Sequence, residues 1–306
     1  MRGIRKFHGA ATLACALMLA GPASAVIDET GTSETGTSET GTDSSTATDS
    51  AFRQAIKFGF SGDAIQGGVM LGDAPAGTSK LTFDGQPVPI DQDGKFLIAF
   101  NRDAGQAAQL VATLENGEKV KKFFSVAPRK WKIEHVAINR RGRTASAAFK
   151  ARRSGELAQI NAARTTVSES KGWRQTFVWP VKGRISGMFG NQRVYNGSPG
   201  SYHSGIDIAA PRGTYYVAPA DGVVTLAATS PFSLEGNLLM IDHGMGLNSA
   251  FLHSSAILVK PGQVVKRGEP IGRIGATGSA TGPHLHWSMK WNRARIDPIL
   301  LTGPMS

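Results

Sequence analysis

The sequence predicts a mainly β protein: a small sandwich-like β domain, a basic helical linker, and a compact antiparallel β domain at the C-terminal end. Three observations carry that prediction. Short alternating apolar and polar segments separated by Asp-Gly and Asn-Gly pairs fill residues 51–128, a Pro-free and Ala-rich stretch crosses 144–168, and the chain after Trp173 is dense in Gly and Pro between brief apolar runs. At 306 residues there is room for one or two domains with a sizeable core.

The chain begins with a basic start (Arg2, Arg5, Lys6), an apolar segment from Ala10 to Ala20 and the triplet Ala23-Ser24-Ala25. This is the layout of a secretory signal peptide over residues 1–25, with cleavage expected after Ala25 and an apolar segment too short to span a bilayer. Removing it takes away three basic residues and no acidic one, so the formal charge falls from +11 to +8. The single cysteine, Cys15, leaves with it. Lipidation of Cys15 is the weaker alternative, because Thr12-Leu13-Ala14 lacks a leucine three places ahead of it. One cysteine excludes an intrachain disulfide framework and zinc held by several thiolates. No other apolar run reaches membrane length, so the mature chain is expected to be exported, periplasmic or cell-wall associated, without a transmembrane segment.

Residues 26–50 are almost entirely Glu, Thr, Gly, Ser and Asp, with Glu-Thr-Gly-Thr-Ser starting at Glu29 and again at Glu34. Such a stretch has nothing to bury and is expected to be a disordered low-complexity tether. In the small β accessory domain, 51–128, strands are expected at Lys80–Phe83, Lys95–Phe100, Gln109–Leu114 and Lys119–Val126. Asp84-Gly85, Asp93-Gly94 and Asn116-Gly117 stand between them as hairpin turns. No chemical constellation is visible there.

The linker, 129–174, has twelve Lys or Arg against three acidic residues, and Thr144–Ser168 is expected to be helical, with Phe149, Leu157 and Ile160 among its charges. A solvated helix face is the ordinary meaning of such charge. The functional one is a cationic surface toward acidic cell-envelope polymers. Nucleic acid is not expected as a partner, since no aromatic residues interleave with the charge in a recognisable module.

From 175 to 306 strands are expected at Val217–Leu226, Leu238–His243, Gly246–Leu252 and Arg273–Ile274, with Pro211, Pro219, Pro261 and Pro270 excluding long helices. The Gly-punctuated run from Val259 to Gly272 suggests successive hairpin corners. Five of the seven histidines fall between residues 203 and 286. His203-Ser204-Gly205-Ile206-Asp207 puts an imidazole and a carboxylate on one face of an extended segment, and His284-Leu285-His286 does the same for two imidazoles. His253 arrives from a third segment. These are suitable zinc donors, and burying five such groups without a shared purpose would be costly.

His203-x-Gly205-x-Asp207, the isolated His253, and Thr281-Gly282-x-His284-Leu285-His286, in that order, resemble the lysostaphin-type (LytM-like) zinc endopeptidases of cell walls. Ser186-Gly187-Met188-Phe189-Gly190, Ala218-Pro219-Ala220-Asp221-Gly222 and Asp242-His243-Gly244 support the resemblance, which covers roughly Trp179 to Pro298. It implies a groove-bearing antiparallel β domain of the duplicated hybrid motif type, one zinc per chain, and hydrolysis of peptide bonds in peptidoglycan. By position, His203, Asp207 and His286 resemble the zinc ligands and His253 and His284 the catalytic histidines. His284 is favoured as base and His253 as stabiliser, since no His-Glu-x-x-His helix supplies a glutamate. Arg193 and Asn196 are candidate cleft residues. Ser288 stands where many relatives have an acid and Phe251 where a Tyr is common, while His243 is assigned a structural role. The rival readings are a non-enzymatic wall-binding or amidase-activating protein of the same type, and a basic exported scaffold that leaves the histidines unexplained.

Overall fold

The alternating N-terminal sequence becomes seven strands, β1 (Gly59–Ser61), β2 (Val69–Asp73), β3 (Thr78–Phe83), β4 (Gln86–Val88), β5 (Lys95–Ala99), β6 (Ala107–Leu114) and β7 (Lys119–Ser125). The structure is a computed structural model that describes residues 57–137 and 146–305. The expected signal peptide, Cys15, the tether, the first residues of the 51–128 stretch and the start of the Thr144–Ser168 helix lie outside the described residues. The strands pair antiparallel as two sheets, β1-β2-β5 and β4-β3-β6-β7. Phe60, Phe83, Phe96, Phe100 and Phe124 meet edge to face with ring centroids 5.2–6.4 Å apart, the geometry that the aromatic quadrupole favours. Asp84 and Gly85 both take positive φ, 45° and 77°, which turns β3 into β4 in two residues. At Asn116-Gly117 only the glycine does so, at 85°, while the Asn116 carboxamide oxygen accepts from the Glu118 N–H at 2.9 Å.

After β8 (Ile133–Val136), helix α1 runs over Ala147–Thr165. Ser146 caps it by accepting from the Phe149 N–H at 3.1 Å, and the β-branched run Thr165-Thr166-Val167 ends it before Ser168. Of the three apolar residues marked in the sequence only Ile160 is buried; Phe149 and Leu157 are exposed. Ile160 and Ala163 pack against Phe232, Leu238, Met240 and Ala250, so the helix is docked on the C-terminal sheet. Buried Glu156 reinforces the docking. Its Oε1 accepts from the Ser233 N–H and Oγ–H, both at 2.7 Å, and from Arg152, while its Oε2 accepts from Arg153. Arg153 also grips Glu235 at 2.6 and 2.7 Å, and Arg152 donates to the Pro231 carbonyl. Arg153, Arg129 and Arg174 are engaged inside the fold, while Arg152, largely exposed, holds Glu156 and the Pro231 carbonyl from the surface.

The C-terminal strands are β9 (Arg184–Gly187), β10 (Gln192–Tyr195), β11 (Ser198–Pro199), β12 (Ile206–Ala209), β13 (Tyr215–Val217), β14 (Gly222–Ala227), β15 (Asn237–Asp242), β16 (Leu247–Ser254), β17 (Ala256–Ile257), β18 (Val264–Val265), β19 (Pro270–Arg273), β20 (His284–Trp291) and β21 (Ala294–Ile296), followed by the short helix α2 (Ile299–Thr302). Eight form one antiparallel sheet in the order β18-β14-β15-β16-β20-β12-β9, with β21 beside β20. A smaller sheet, β13-β19-β17, packs nearby, and β8 runs parallel to β10. The single strand expected at Val217–Leu226 is instead β13 and β14, in different sheets. Pro219 has no N–H for a ladder, and the N–H groups of Val217 and Ala218 go to the carbonyls of Pro180 and Glu269.

One hydrophobic core runs through both halves, from Phe96 and Leu110 to Trp287 and Ile296. The Phe83 and Trp291 rings meet at 6.5 Å, and Arg129 pairs with the buried Asp297 at 2.7 Å, whose own N–H donates to the Gly67 carbonyl.

Burial alone would raise the Glu156 pKa, but the donors from Ser233, Arg153 and Arg152 outweigh it and hold the carboxyl down to about 2. Replacing Glu156 with Ala strands Arg153 and the Ser233 donors and is expected to cost about 3 kcal/mol, read as a lower urea midpoint at pH 7. The folded pKa lies below the unfolded value of about 4.3, so this contribution is complete above that pH and is lost as pH falls toward 2. Glu156→Gln should lack that portion of the acid dependence.

Candidate metal and catalytic site

Pairing of β12 with β20 sets Asp207 directly opposite His286. Along β12, Ile206 and Ile208 enter the core and Asp207 faces the other way; along β20, Leu285, Trp287 and Met289 do so while His284, His286 and Ser288 share the opposite face. His203 comes from the loop before β12. Its backbone N–H donates to the Asn191 carbonyl, and its Nδ1 lies 3.0 Å from the Met188 carbonyl, so Nδ1 carries the proton and Nε2 offers its lone pair.

Three donor atoms then converge. His203 Nε2 is 3.1 Å from Asp207 Oδ1 and 3.1 Å from His286 Nδ1, and His286 Nδ1 is 2.8 Å from Asp207 Oδ1. Among the described residues this is the one cluster of His, Cys, Asp and Glu with metal-ligand spacing. The three distances approach the ~3.3 Å edge of a tetrahedron with bonds of about 2.0–2.1 Å. Two imidazoles and one carboxylate fit zinc and leave a fourth position. The backbone makes room for the cluster: a Cβ at Gly187 would stand 2.3 Å from Asp207 Oδ2, and one at Gly205 2.9 Å from His286 Nε2.

Electrostatics follow the packing. Burial would raise the Asp207 pKa, but hydrogen bonds from His203 and His286 drive it well below the usual carboxylate range. Burial works against a charged His203, and the Asp207 carboxylate reverses that and raises its pKa; in His286 burial prevails and lowers it.

The other two histidines stand beside this cluster. His284 Nδ1 lies 2.8 Å from the Gly282 carbonyl, and its Nε2 lies 3.7 Å from Asp207 Oδ1. His253 is 7% exposed, with Nδ1 2.8 Å from the Thr277 carbonyl and its ring 4.9 Å from that of His284. In a regular strand it would point away from Leu252 and into the core. Its φ of 66° breaks the alternation and turns the ring toward the site. Its backbone N–H donates to the Glu235 carbonyl, in the loop gripped by α1. Burial lowers the His253 pKa.

A cleft of about 630 Å³ opens onto His203 and Asp207. Arg193 lines it, paired with Glu134 of β8 at 2.8 Å. Asn196 is a turn residue between β10 and β11, with φ 46°, outside the cleft lining. Sequence reading missed Lys132, Glu134 and Tyr202, which also line the cleft; the first two reach it only because β8 pairs with β10, and nothing local in the sequence signals that pairing. His243 is fully buried, its ring nitrogens 2.8 Å from the Asp221 carbonyl and 2.8 Å from Ser249 Oγ, and burial pushes its pKa down to about 4. Phe251 stacks between Tyr216 and Trp287 in the core, away from the cleft, whereas Ser288 is on the site face.

Residues 201–298 match the model of Peptidase family M23. Peptidoglycan DD-endopeptidase ShyA of Vibrio cholerae is 42% identical over 131 residues, which are 42% of this chain and 30% of that protein. DD-carboxypeptidase/endopeptidase Mpg of Neisseria meningitidis is 39% identical over 121 residues, 40% of this chain and 27% of that protein. The chain thus aligns with less than a third of either. A crystal structure of a putative peptidase M23 from Pseudomonas aeruginosa superposes with a TM-score of 0.62 at 28% identity, covering 83% of this chain and all of that one.

Zinc at a hundredfold excess over its Kd should stabilise the folded chain by about 2.7 kcal/mol, seen as a rise of several degrees in Tm. Asp207→Ala and His286→Ala are each expected to abolish the rise; a rise that survives in both would place the metal elsewhere.

Proposed function

Residues 201–298 are a peptidase family M23 domain, and from that premise we propose that the chain is an exported zinc-dependent endopeptidase that hydrolyses peptide bonds in the stem peptides or cross-links of peptidoglycan. The observation that carries this reading is the convergence of His203 Nε2, Asp207 Oδ1 and His286 Nδ1 within 3.1 Å, with two further histidines beside them. His203, Asp207 and His286 would hold one zinc ion. Zinc there would supply Lewis acidity, enough to bring the pKa of water from about 15.7 to about 7.

The chain's own groups supply the rest. Both catalytic candidates have Nδ1–H fixed on a backbone carbonyl, His284 on Gly282 and His253 on Thr277, so in each the lone pair is on Nε2, which in His284 lies 3.7 Å from Asp207 Oδ1. His284 takes the water proton and returns it to the leaving amine. His253, whose Nδ1–H is held by the Thr277 carbonyl, stabilises the charged intermediate by donating from Nε2 after taking up a proton there from solvent, which it gives back to solvent when the intermediate collapses. The five positions are all filled, which favours catalysis over the non-enzymatic alternative. Export rests on the signal-peptide pattern of residues 1–25, and the wall substrate on the names of the aligned relatives.

Purified mature protein should release soluble peptides from cell-wall sacculi, with the cleaved bond identified by mass spectrometry. His284→Ala should retain zinc and lose roughly 10²–10⁴-fold in kcat. Loss of the metal instead would assign His284 to the ligand set, and unchanged release of peptides would refute its role as base.

A further inference from the structure

Four cations gather where β20 and β21 meet the C-terminal end of α1. Lys290 and Arg295 lie directly opposite each other across the β20-β21 pair, Arg293 is in the turn between those strands, and Arg164 comes from the last turn of α1. Like charges set opposite each other in a sheet are destabilising. Among the described residues none of the four makes an ion pair. Glu235, the acid whose charge acts on Arg164, is held by Arg153 in a bidentate pair. Lys290 and Arg164 are partly buried as well. Burial lowers the pKa of each, and the neighbouring cations lower it further, Arg295 acting on both. An anion seated among these cations would offset both the desolvation and the repulsion.

Its position says which anion. Lys290 is on the face of β20 that carries His284, His286 and Ser288, four residues beyond the metal-site histidine. At about 3.3 Å per strand residue that is roughly 13 Å along the sheet. Arg295 lies over the ring of Tyr202, 5.4 Å from its centroid, and Tyr202 lines the cleft next to His203. The cations therefore stand at one end of the surface on which the site is built. An extended peptide held at the metal site and laid along this face would reach them after roughly three or four residues.

We propose that Lys290, Arg295 and Arg164 form a carboxylate-binding subsite that receives a free carboxylate of the stem peptide, removed from the bond that is cut. The subsite rests on the endopeptidase reading above and selects for substrates whose carboxylates have not been amidated. A carboxamide of the same shape offers the guanidinium and ammonium groups no charge and is discriminated against.

The test uses the full-length mature protein with zinc bound. Binding is measured by calorimetry for a stem-peptide dimer whose cross-link is a reduced, non-scissile bond, with its carboxylates either free or converted to carboxamides. Wild type should bind the free acid roughly tenfold more tightly, the scale of one charge-assisted contact. The double variant Lys290→Gln, Arg295→Gln should bind both forms with the weaker affinity at unchanged zinc content and a Tm no lower than that of wild type, and Lys290→Arg should keep the preference. Arg164→Gln, on a different element, should reduce the preference in the same direction. Equal affinity of wild type for the two forms, or a preference that survives the double substitution, overturns the proposal. So does tight binding of a short polyphosphate that the double variant loses while peptide binding is unchanged, because the cluster then serves a phosphate polymer. Cleavage of the ordinary dimer is scored separately. Carboxylate preference without cleavage supports the subsite and refutes the endopeptidase reading, whereas cleavage without preference refutes the subsite alone.

Discussion

Alternate side chains of β20 answer to opposite demands. Leu285, Trp287, Met289 and Trp291 are buried in the core shared by both halves of the chain, while His284, His286, Ser288 and Lys290 form one row on the other face. The strand is paired on both sides, with β16 and β12, so a slip of one residue would exchange the two rows, burying imidazoles and exposing two tryptophans. The apolar row is thus what holds the polar row in register. The Asp207–His286 juxtaposition follows from that register, and with it the approach of three donor atoms to about 3 Å.

The remaining side of the site depends on a second chain of contacts. Glu156 and Arg153 of α1 hold the 231–235 loop through Ser233 and Glu235, and the Glu235 carbonyl accepts the N–H of His253. Ser279 donates to the Leu234 carbonyl, which ties the 276–279 segment, whose Thr277 carbonyl receives His253 Nδ1–H, to the same loop. The positive φ of His253 is a local cost, and these bonds are what sustain it. A helix whose composition suggests a solvated, cationic linker therefore acts as a brace beneath His253.

The N-terminal sheets are drawn into the same body. Phe83 reaches Trp291, Arg129 reaches buried Asp297, and Arg102 donates to the Gly190 carbonyl beside the His203 loop at 2.9 Å. Trp131 lies against both Arg102 and Arg129. From there β8 joins β10, so a segment outside the family-matched 201–298 region contributes Lys132 and Glu134 to the cleft wall. The accessory region is a structural neighbour of the site as well as a partner in the core.

Much of this was legible in the sequence by itself. Strand periodicity, the Asp84-Gly85 turn and the Pro-free helix depend on interactions between near neighbours, and such interactions are written locally. The same locality put His284 and His286 on one face, since alternation in an extended segment needs no knowledge of the rest of the chain; His203, expected on one extended face with Asp207, instead lies in the loop before β12 and is aimed by the Met188 and Asn191 carbonyls. What only the tertiary structure decided are relations between distant residues: the split of Val217–Leu226 between two sheets, the seat of Phe251 in the core, the pairing of β8 with β10, and the clustering of Arg164 with Lys290 and Arg295. His253 belongs to both groups. Its identity as a candidate came from its place in the motif, but its aim into the site comes from a left-handed backbone held by Glu235 and Thr277, residues brought to it by the packing of α1 and the folding of two separate loops.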